Sequence, residues 1–464
     1  MKTTHLGRFV AAVIAVVMLA AAMAALPAGL ALAAEPEYTD FTVYFPLYTK
    51  LGSFVYPVRH LVPKTDAPAK ASMEALIAGY PGGPFLPLPK ETKVLGVTIK
   101  DGLATVDFSP EIKGANVGSG GEAAILSAIV ATLGQFQGVT AVQILVNGEK
   151  LDSLAGHVDI TEPLSTEGVF GSVFQVLDDV YQHWSGGAVG VLMAWDVLDG
   201  YPDGTYRPDN KVTRAEFIKM LVEGLKLPYA SGEAVPFADV TGKWHEDYVR
   251  RALASGLIKA SDYGQNLKPD EVIPRGEMAA LLVTASAAYL KQHPEVDYQE
   301  VSPAPVFADL NTATEKYRTA IQESANRGFI AGFPDGTYRP MEGLSRGEAA
   351  TVIVRLLGMA ETSDPTFKHV IRMNPLQGAE WDGGSLYALG AASAFEANVN
   401  WRIAGVAGDI LFSYVTATQG MGWGLWGLHV DPALFADQSP TMLEFFLVSM
   451  KDGQEYSKVS LPLN

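Results

Sequence analysis

The sequence predicts a multidomain chain of three regions: α+β first, mostly α in the middle, and all-β at the end. Three observations predict it. Residues 41–164 mix period-two and helical apolar spacing, residues from about 175 to 360 repeat one helix–loop–helix unit three times, and past residue 365 apolar and polar residues alternate. The chain has 464 residues and no cysteine, so disulfides, thiolate metal sites and a lipid-modified N-terminal cysteine are excluded. Each region must stand on its own hydrophobic core, and each is long enough to have one.

The first residues read as an export signal. Lys2 and Arg8 precede an apolar run from Phe9 to Leu26, with Ala31-Leu32-Ala33 beyond it. Cleavage is expected near Ala33 or Ala34, so the membrane is met only through this segment before cleavage, although the run is long enough to stay as an anchor. The expected organisation is a signal peptide over 1–34, an α+β domain over 35–165, a repeat domain over 170–360 and a β domain over 365–464. The units of the repeat domain span about 175–228, 235–290 and 305–360. Losing Lys2 and Arg8 takes the formal net charge from −17 to about −19. Such acidity argues against nucleic acid as a partner, and against attachment by general attraction to anionic wall polymers. Any attachment has to be made by locally placed cations.

In the first region a strand is expected around Phe41 to Phe45, then a helix whose Met73, Leu76, Ile77 and Tyr80 share a face. Val94 to Ile99 and Leu103 to Phe108 flank Asp101-Gly102, a hairpin turn signal. A second helix carries Ile125, Ile129, Leu133 and Phe136, and a last strand runs from Val139 to Val146. Gly118-Ser119-Gly120-Gly121 reads as a loop and helix start rather than an anion site.

The middle region declares itself by repetition. Gly200-Tyr201-Pro202-Asp203-Gly204-Thr205-Tyr206-Arg207-Pro208 returns as Gly332-Phe333-Pro334-Asp335-Gly336-Thr337-Tyr338-Arg339-Pro340, with a degenerate copy between them. The units open with Asp179-Val180, Asp239-Val240 and Asp309-Leu310. Their closing helices start at Thr213-Arg214-Ala215-Glu216, Pro274-Arg275-Gly276-Glu277 and Ser345-Arg346-Gly347-Glu348. In the last region Phe395, Ala397, Val399, Trp401 and Ile403 alternate with polar residues. Further strands at Ile410 to Thr418, Leu425 to Val430 and Met442 to Met450, and a hairpin starting at Lys451-Asp452-Gly453, predict a β-sandwich.

The Gly-Tyr-Pro-Asp-Gly-Thr-Tyr-Arg-Pro loop followed by Thr-Arg-Ala-Glu resembles the S-layer homology repeat. The resemblance implies a mostly helical, pseudo-threefold domain whose grooves hold secondary cell-wall polysaccharide, often carrying a pyruvate ketal. The first region resembles the GerMN domain of sporulation and spore-germination proteins, through Val43-Tyr44-Phe45, the Met73 to Gly79 helix, Asp101 to Phe108 and Val142 to Val146. The last resembles the immunoglobulin-like domain of bacterial spore-germination proteins, through Phe395-Glu396-Ala397, Gly420-Met421-Gly422-Trp423-Gly424 and Lys451-Asp452-Gly453. Together they imply the cell surface of a spore-forming, Gram-positive-type bacterium.

Thr213 and Ser345 can cap their helices while Glu216 and Glu348 reach back to the cap, so these residues, and Glu277 with them, read as structural. Pro274 offers no hydroxyl, and its helix must start differently. Arg214, Arg275 and Arg346 place a cation in a helix's first turn, where the macrodipole disfavours it. A bound carboxylate would explain the recurrence, with the guanidinium and free helix N–H groups forming the anion site. The alternative is a salt bridge to Asp179, Asp239 or Asp309, which the expected polysaccharide-binding set also includes. Trp184 and Trp244 suit the apolar face of a sugar ring, with core packing as the alternative. The third unit has Lys316 and Tyr317 near that place, so its groove is expected to differ. Tyr201 and Phe333 complete the set, on loops whose Pro-Asp-Gly forms a turn rather than a calcium loop.

No nucleophile elbow, phosphate-cradling glycine motif or metal-spaced histidine pair is present, and the eight histidines are scattered, His157 and His183 being 26 apart. No catalytic residue, metal or cofactor is therefore assigned. The leading expectation is a non-enzymatic envelope protein whose flanking domains contact peptidoglycan, spore-envelope layers or other proteins. A wall-modifying hydrolase and a structural surface-layer subunit are the competing readings.

Overall fold

The computed structural model describes residues 38–464 apart from 82–83, 168–172, 231–233, 293–297, 299–302, 359–369, 373–385, 394–396, 407, 420–422, 449–453 and 464. The export-signal segment, Phe395-Glu396, Gly420 to Gly422 and Lys451 to Gly453 lie outside the described residues. The regions at either end are rich in sheet, and helices fill the middle.

The first region opens with a long hairpin, β1 (Tyr38–Thr49) and β2 (Gly52–Pro63), paired antiparallel from Tyr38↔Pro63 to Thr49↔Gly52. The expected opening strand is thus the centre of a longer one, and its partner was not anticipated. Helix α1 (Pro68–Ala78) buries Met73, Leu76 and Ile77 and stops at Gly79, whose φ of 77° takes the chain out of the helix before Tyr80. β3 (Val94–Lys100) and β4 (Leu103–Phe108) flank Asp101-Gly102, both at positive φ. β5 (Ala141–Val146) then runs parallel to β4, α2 (Ser119–Gly134) crosses between them, and the short β6 (Glu149–Lys150) and β7 (Leu164–Ser165) pair antiparallel with β5. Gly120 lets the Tyr48 ring lie close to this helix, since a Cβ there would be 2.5 Å from the ring.

Among the described residues six α-helices form the middle: α3 (Gly186–Ala194), α4 (Arg214–Gly224), α5 (Glu246–Ala254), α6 (Arg275–Gln292), α7 (Glu315–Asn326) and α8 (Arg346–Leu356). Each closing helix packs on the opening helix of the next unit: α4 on α5, α6 on α7, and α8 back on α3. Closing the circle this way gives every amphipathic helix an apolar neighbour.

The last region contributes β8 (Val370–Arg372), β9 (Leu386–Ser393), β10 (Asn398–Gly405), β11 (Gly408–Thr416), β12 (Trp423–Val430), β13 (Pro440–Val448) and β14 (Glu455–Pro462). One sheet runs β11-β10-β13-β14; the other runs β1-β2-β12-β9-β8 and so includes the hairpin of the first region. Val399, Trp401 and Ile403 point into the core between the sheets with Trp426, Phe445 and Leu61 of β2. β12 joins β2 in parallel, pairing Leu428↔Arg59, His429↔His60 and Val430↔Leu61. Across this seam the buried Tyr56 hydroxyl donates to Trp426 O at 2.9 Å.

The middle is fastened to the same body. Trp423 donates from its backbone N to Tyr181 O at 2.9 Å and from Nε1 to His183 O at 3.0 Å. α3 starts with Gly186 because a Cβ there would meet Val180 O at 2.1 Å and the Trp423 ring at 2.5 Å.

Candidate functional site

Each loop of the repeat region is built on its unit's opening aspartate. Asp179 accepts from Tyr206 N and Arg207 N, Asp239 from Leu267 N and Lys268 N, and Asp309 from Tyr338 N and Arg339 N. Two adjacent N–H groups aimed at one carboxylate hold Arg207, Lys268 and Arg339 at φ of 58°, 56° and 60°. In the first and third loops a second carboxylate closes the turn. Asp203 and Asp335 each accept from a threonine two residues on and from Arg207 or Arg339, and these bonds draw both carboxyls down to about 2.

With the aspartates committed to the loops, the three arginines of the closing helices pair elsewhere, each with the unit that follows in the circle. Arg214 donates to Leu267 O and to both oxygens of Glu277, Arg275 to Tyr338 O and Glu348, and Arg346 to Tyr206 O and Asp199 O. All three are about 7% exposed, so these bonds replace most of the water each would otherwise hold. The salt-bridge alternative is thus realised through glutamates rather than through Asp179, Asp239 or Asp309. The free helix N–H groups expected beside the guanidinium are also spoken for. Arg214 N and Ala215 N donate to Glu271 O and Pro269 O, Arg275 N and Gly276 N to Glu342 O and Pro340 O, and Arg346 N and Gly347 N to Asn210 O and Pro208 O. Backbone carbonyls, not a ligand, satisfy these helix starts.

The three arginine environments differ. Thr213 and Ser345 form full capping boxes with Glu216 and Glu348, so one glutamate oxygen goes to the cap. Glu216 keeps its other oxygen 3.5 Å from Arg346, too long for a strong bond. Pro274 has no N–H to offer, and Glu277 turns both oxygens on Arg214, at 2.7 and 2.9 Å. Burial works against the Arg214 charge, but this bidentate bond overcomes it and raises the pKa. Tyr263 adds a hydroxyl bond to Glu277 at 3.0 Å, and Lys316 reaches Asp262 at 3.0 Å across the same place.

Beside Arg346 the structure is open. A groove of about 260 Å³ is lined by Asp199, Tyr201, Glu216, Lys219, Trp244 and Arg346, with Val197, Leu198, Gly200 and Met220 as its apolar floor. It brings together residues of all three units: Tyr201 from the first loop, Trp244 from the second unit and Arg346 from the third. Tyr201 lies between two guanidinium groups, Arg207 at 4.2 Å and Arg346 at 5.0 Å from its ring centre. Phe333 repeats this between Arg339 and Arg275. Trp184 and Trp244 are each 54% exposed, which removes core packing as their role. Lys219 and Asp199 were not singled out from sequence. Lys219 lies one turn beyond Glu216 on the same helix face, a spacing that could have flagged it. Among the described residues no group of three histidines and carboxylates is placed to hold a metal ion.

Residues 42–152 match the family model for sporulation and spore germination (Germane), 177–218, 236–279 and 306–350 match the S-layer homology domain, and 370–454 match the immunoglobulin-like domain of bacterial spore germination (Gmad2). An amylopullulanase of Thermoanaerobacterium thermosulfurigenes is 28% identical over 213 residues, 45% of this chain and 11% of that protein. A cellulosome-anchoring protein of Acetivibrio thermocellus is 31% identical over 104 residues, 22% of this chain and 23% of that protein. The chain thus spans less than a quarter of the length of either relative. The first GerMN domain of the sporulation protein GerM from Bacillus subtilis is 31% identical, covering 27% of this chain and 97% of that one at a TM-score of 0.23. The chain is an S-layer homology repeat protein, with a GerMN-type domain ahead of its three repeats and an immunoglobulin-like domain of bacterial spore germination behind them.

Proposed function

We propose that the three repeats anchor this protein non-covalently to a secondary polysaccharide of the cell wall, and that the flanking domains are binding modules displayed at the surface without a reaction of their own. The observation that carries this reading is the groove beside Arg346, where an exposed indole, an ammonium and a guanidinium converge over an apolar floor. Trp244 suits the apolar face of a sugar ring. Lys219 and Arg346 suit a carboxylate such as a pyruvate ketal, which would compete with the long Glu216 contact for the guanidinium.

The circular pattern, in which each arginine bonds into the next unit, supports a pseudo-threefold domain over 170–360. By that rotation Arg275, Phe333 and Trp184 form a second groove, while the Arg214 groove is closed by Glu277, Tyr263 and Lys316. The aspartates serve the ligand indirectly, by shaping the loops that carry Tyr201 and Phe333. The remaining domains occupy 35–165 and 365–464, the second as an immunoglobulin-like sandwich, and contact peptidoglycan or spore-envelope proteins. The relative named as a cellulosome-anchoring protein favours an anchor, and the matches to two spore-germination families favour the outside of a Gram-positive-type, spore-forming cell as its place.

Sedimentation of the chain with purified wall sacculi tests this. Intact walls should pellet it and walls stripped of secondary polysaccharide should not. Trp244→Ala should weaken pelleting about tenfold, the loss of one well-packed aromatic contact worth about 1.4 kcal/mol. Equal pelleting with stripped walls overturns the polysaccharide as ligand.

A further inference from the structure

The groove beside Arg346 is lined by the repeats, but one of its lining residues, Asp199, is met from outside them. The hairpin of the first domain turns at Lys50-Leu51, and its tip reaches the segment leading into the first repeat's loop. Lys50 donates from its backbone N to Asp196 Oδ1 at 3.1 Å, and Asp196 is itself held at a φ of 56°. The Lys50 ammonium lies 3.7 Å from Asp199 Oδ1 and 3.9 Å from Asp196 Oδ2.

Asp199 is the residue on which both groove cations depend. Its Oδ2 takes the Lys219 ammonium, and its carbonyl accepts from Arg346 Nη2 at 3.0 Å. Its Oδ1 is buried and has no hydrogen bond among the described residues, and the Lys50 ammonium is the cation that faces it. In the groove and next to Asp199, Lys50, Lys219 and Arg346 stand against Asp196, Asp199 and Glu216. Without Lys50 the acids would be in excess, in a chain whose net charge is already −17.

We propose that Lys50, contributed by the first domain, is a positioning residue for the polysaccharide groove: by sharing the Asp199 carboxylate it loosens that carboxylate's hold on Lys219, leaving the ammonium free to meet an anionic sugar. This rests on the groove reading above. It makes wall affinity depend on the first domain being docked on the repeats, so that the displayed domain and the anchor act as one device.

The test uses the whole chain and purified sacculi, intact and stripped, at low and high ionic strength. Lys50→Ala should bind intact sacculi about threefold more weakly at low salt, with the gap closing as salt screens it, and Lys50→Glu about tenfold more weakly. Lys50→Arg should bind as the wild type does. Thermal midpoints should be the same for the wild type, Lys50→Ala and Lys50→Arg, which a merely structural role would not predict, while Lys50→Glu, a third carboxylate beside Asp196 and Asp199, should melt lower. Wild-type binding that is lost on stripping, together with unchanged binding by Lys50→Ala, would overturn this inference and leave the groove intact as a site. An equal fall for Lys50→Arg and Lys50→Ala would also overturn it. Wild-type binding indifferent to stripping overturns the groove reading, and the role of Lys50 with it.

Discussion

The place around Arg346 and the place around Arg214 start from the same sequence motif and end in opposite states. At Arg346 the neighbouring glutamate is divided between a helix cap and a long contact at 3.5 Å, and a groove of about 260 Å³ remains. At Arg214 the glutamate gives both oxygens to the guanidinium, a tyrosine hydroxyl joins them, and the Lys316–Asp262 pair lies alongside. A repeated arginine is therefore not evidence of a repeated site. What decides is how completely the fold satisfies it.

The largest effect should come from breaking the closed member of the pair. Arg214→Ala leaves the buried Glu277 carboxylate without its partner and unties Leu267 O and Lys268 O, and removing one side of a buried pair typically costs roughly 3–5 kcal/mol. Urea unfolding should show that loss, while wall binding of the still-folded protein at low temperature should be close to wild type. A stable Arg214→Ala that no longer binds sacculi would reverse the assignment of the two grooves.

Acid should act away from both places, on the hairpin that carries Lys50. Further along that hairpin His60 packs at a tilt against His429 of β12, ring centres 4.4 Å apart, with Phe41 and Phe45 of β1 and Tyr387 of β9 around them. Burial holds His60 well below the usual imidazole range, and a charge on His429 would push it further; burial also lowers His429 to about 4, against a weaker opposing pull from Asp431. Both pKa values are depressed on folding, so the unfolded chain binds more protons between about pH 4 and pH 6.5. Stability is complete above pH 6.5 and falls as pH drops, for His429 by about 1.4 kcal/mol per unit and about 3 kcal/mol by pH 4. Urea midpoints at pH 7.5, 5.5 and 4.5 should fall steeply for the wild type and less for His429→Leu. Parallel curves would rule out the seam as the acid-sensitive element.

Much of this architecture was legible because its signals are short-range. The repeated loop, the Arg-x-Glu helix starts and the alternation of Val399, Trp401 and Ile403 each occupy a few consecutive residues, and local geometry follows from them. β2 was missed because Pro57, Arg59, His60 and Pro63 break its apolar alternation; its stability comes from β1 on one side and from β12, more than 360 residues on, on the other. Glu122 was missed for a related reason. It is fully buried in α2, where its carboxylate accepts from the N–H groups of Leu154, Ala155, His157 and Val158, and nothing near it in sequence announces that loop. The arginine partners lie in neighbouring units, whereas the aspartates gave a constant cue that went unread: each lies 27 to 30 residues before the N–H groups it holds.

The smallest expected effect bears most directly on why the two places differ. Glu216 and Glu348 each spend an oxygen on the backbone N–H of the capping residue, Thr213 or Ser345. Glu277 has no such call on it because Pro274 carries neither an N–H nor a hydroxyl, and the oxygen left over becomes the second bond to Arg214. Pro274→Thr would supply both groups. The helix should gain a capping box worth about 1 kcal/mol, and the Arg214–Glu277 pair should lose one of its two bonds, worth a similar amount, so net stability should move by less than about 1 kcal/mol. The groove should respond more than the stability does: with Glu277 divided as Glu216 is, the Arg214 guanidinium regains a free edge. Wall binding by a Trp244→Ala, Pro274→Thr double variant should then exceed that of Trp244→Ala alone. If the double variant binds no better, the proline is not what closes this groove, and Tyr263 with the Lys316–Asp262 pair is sufficient to keep it shut.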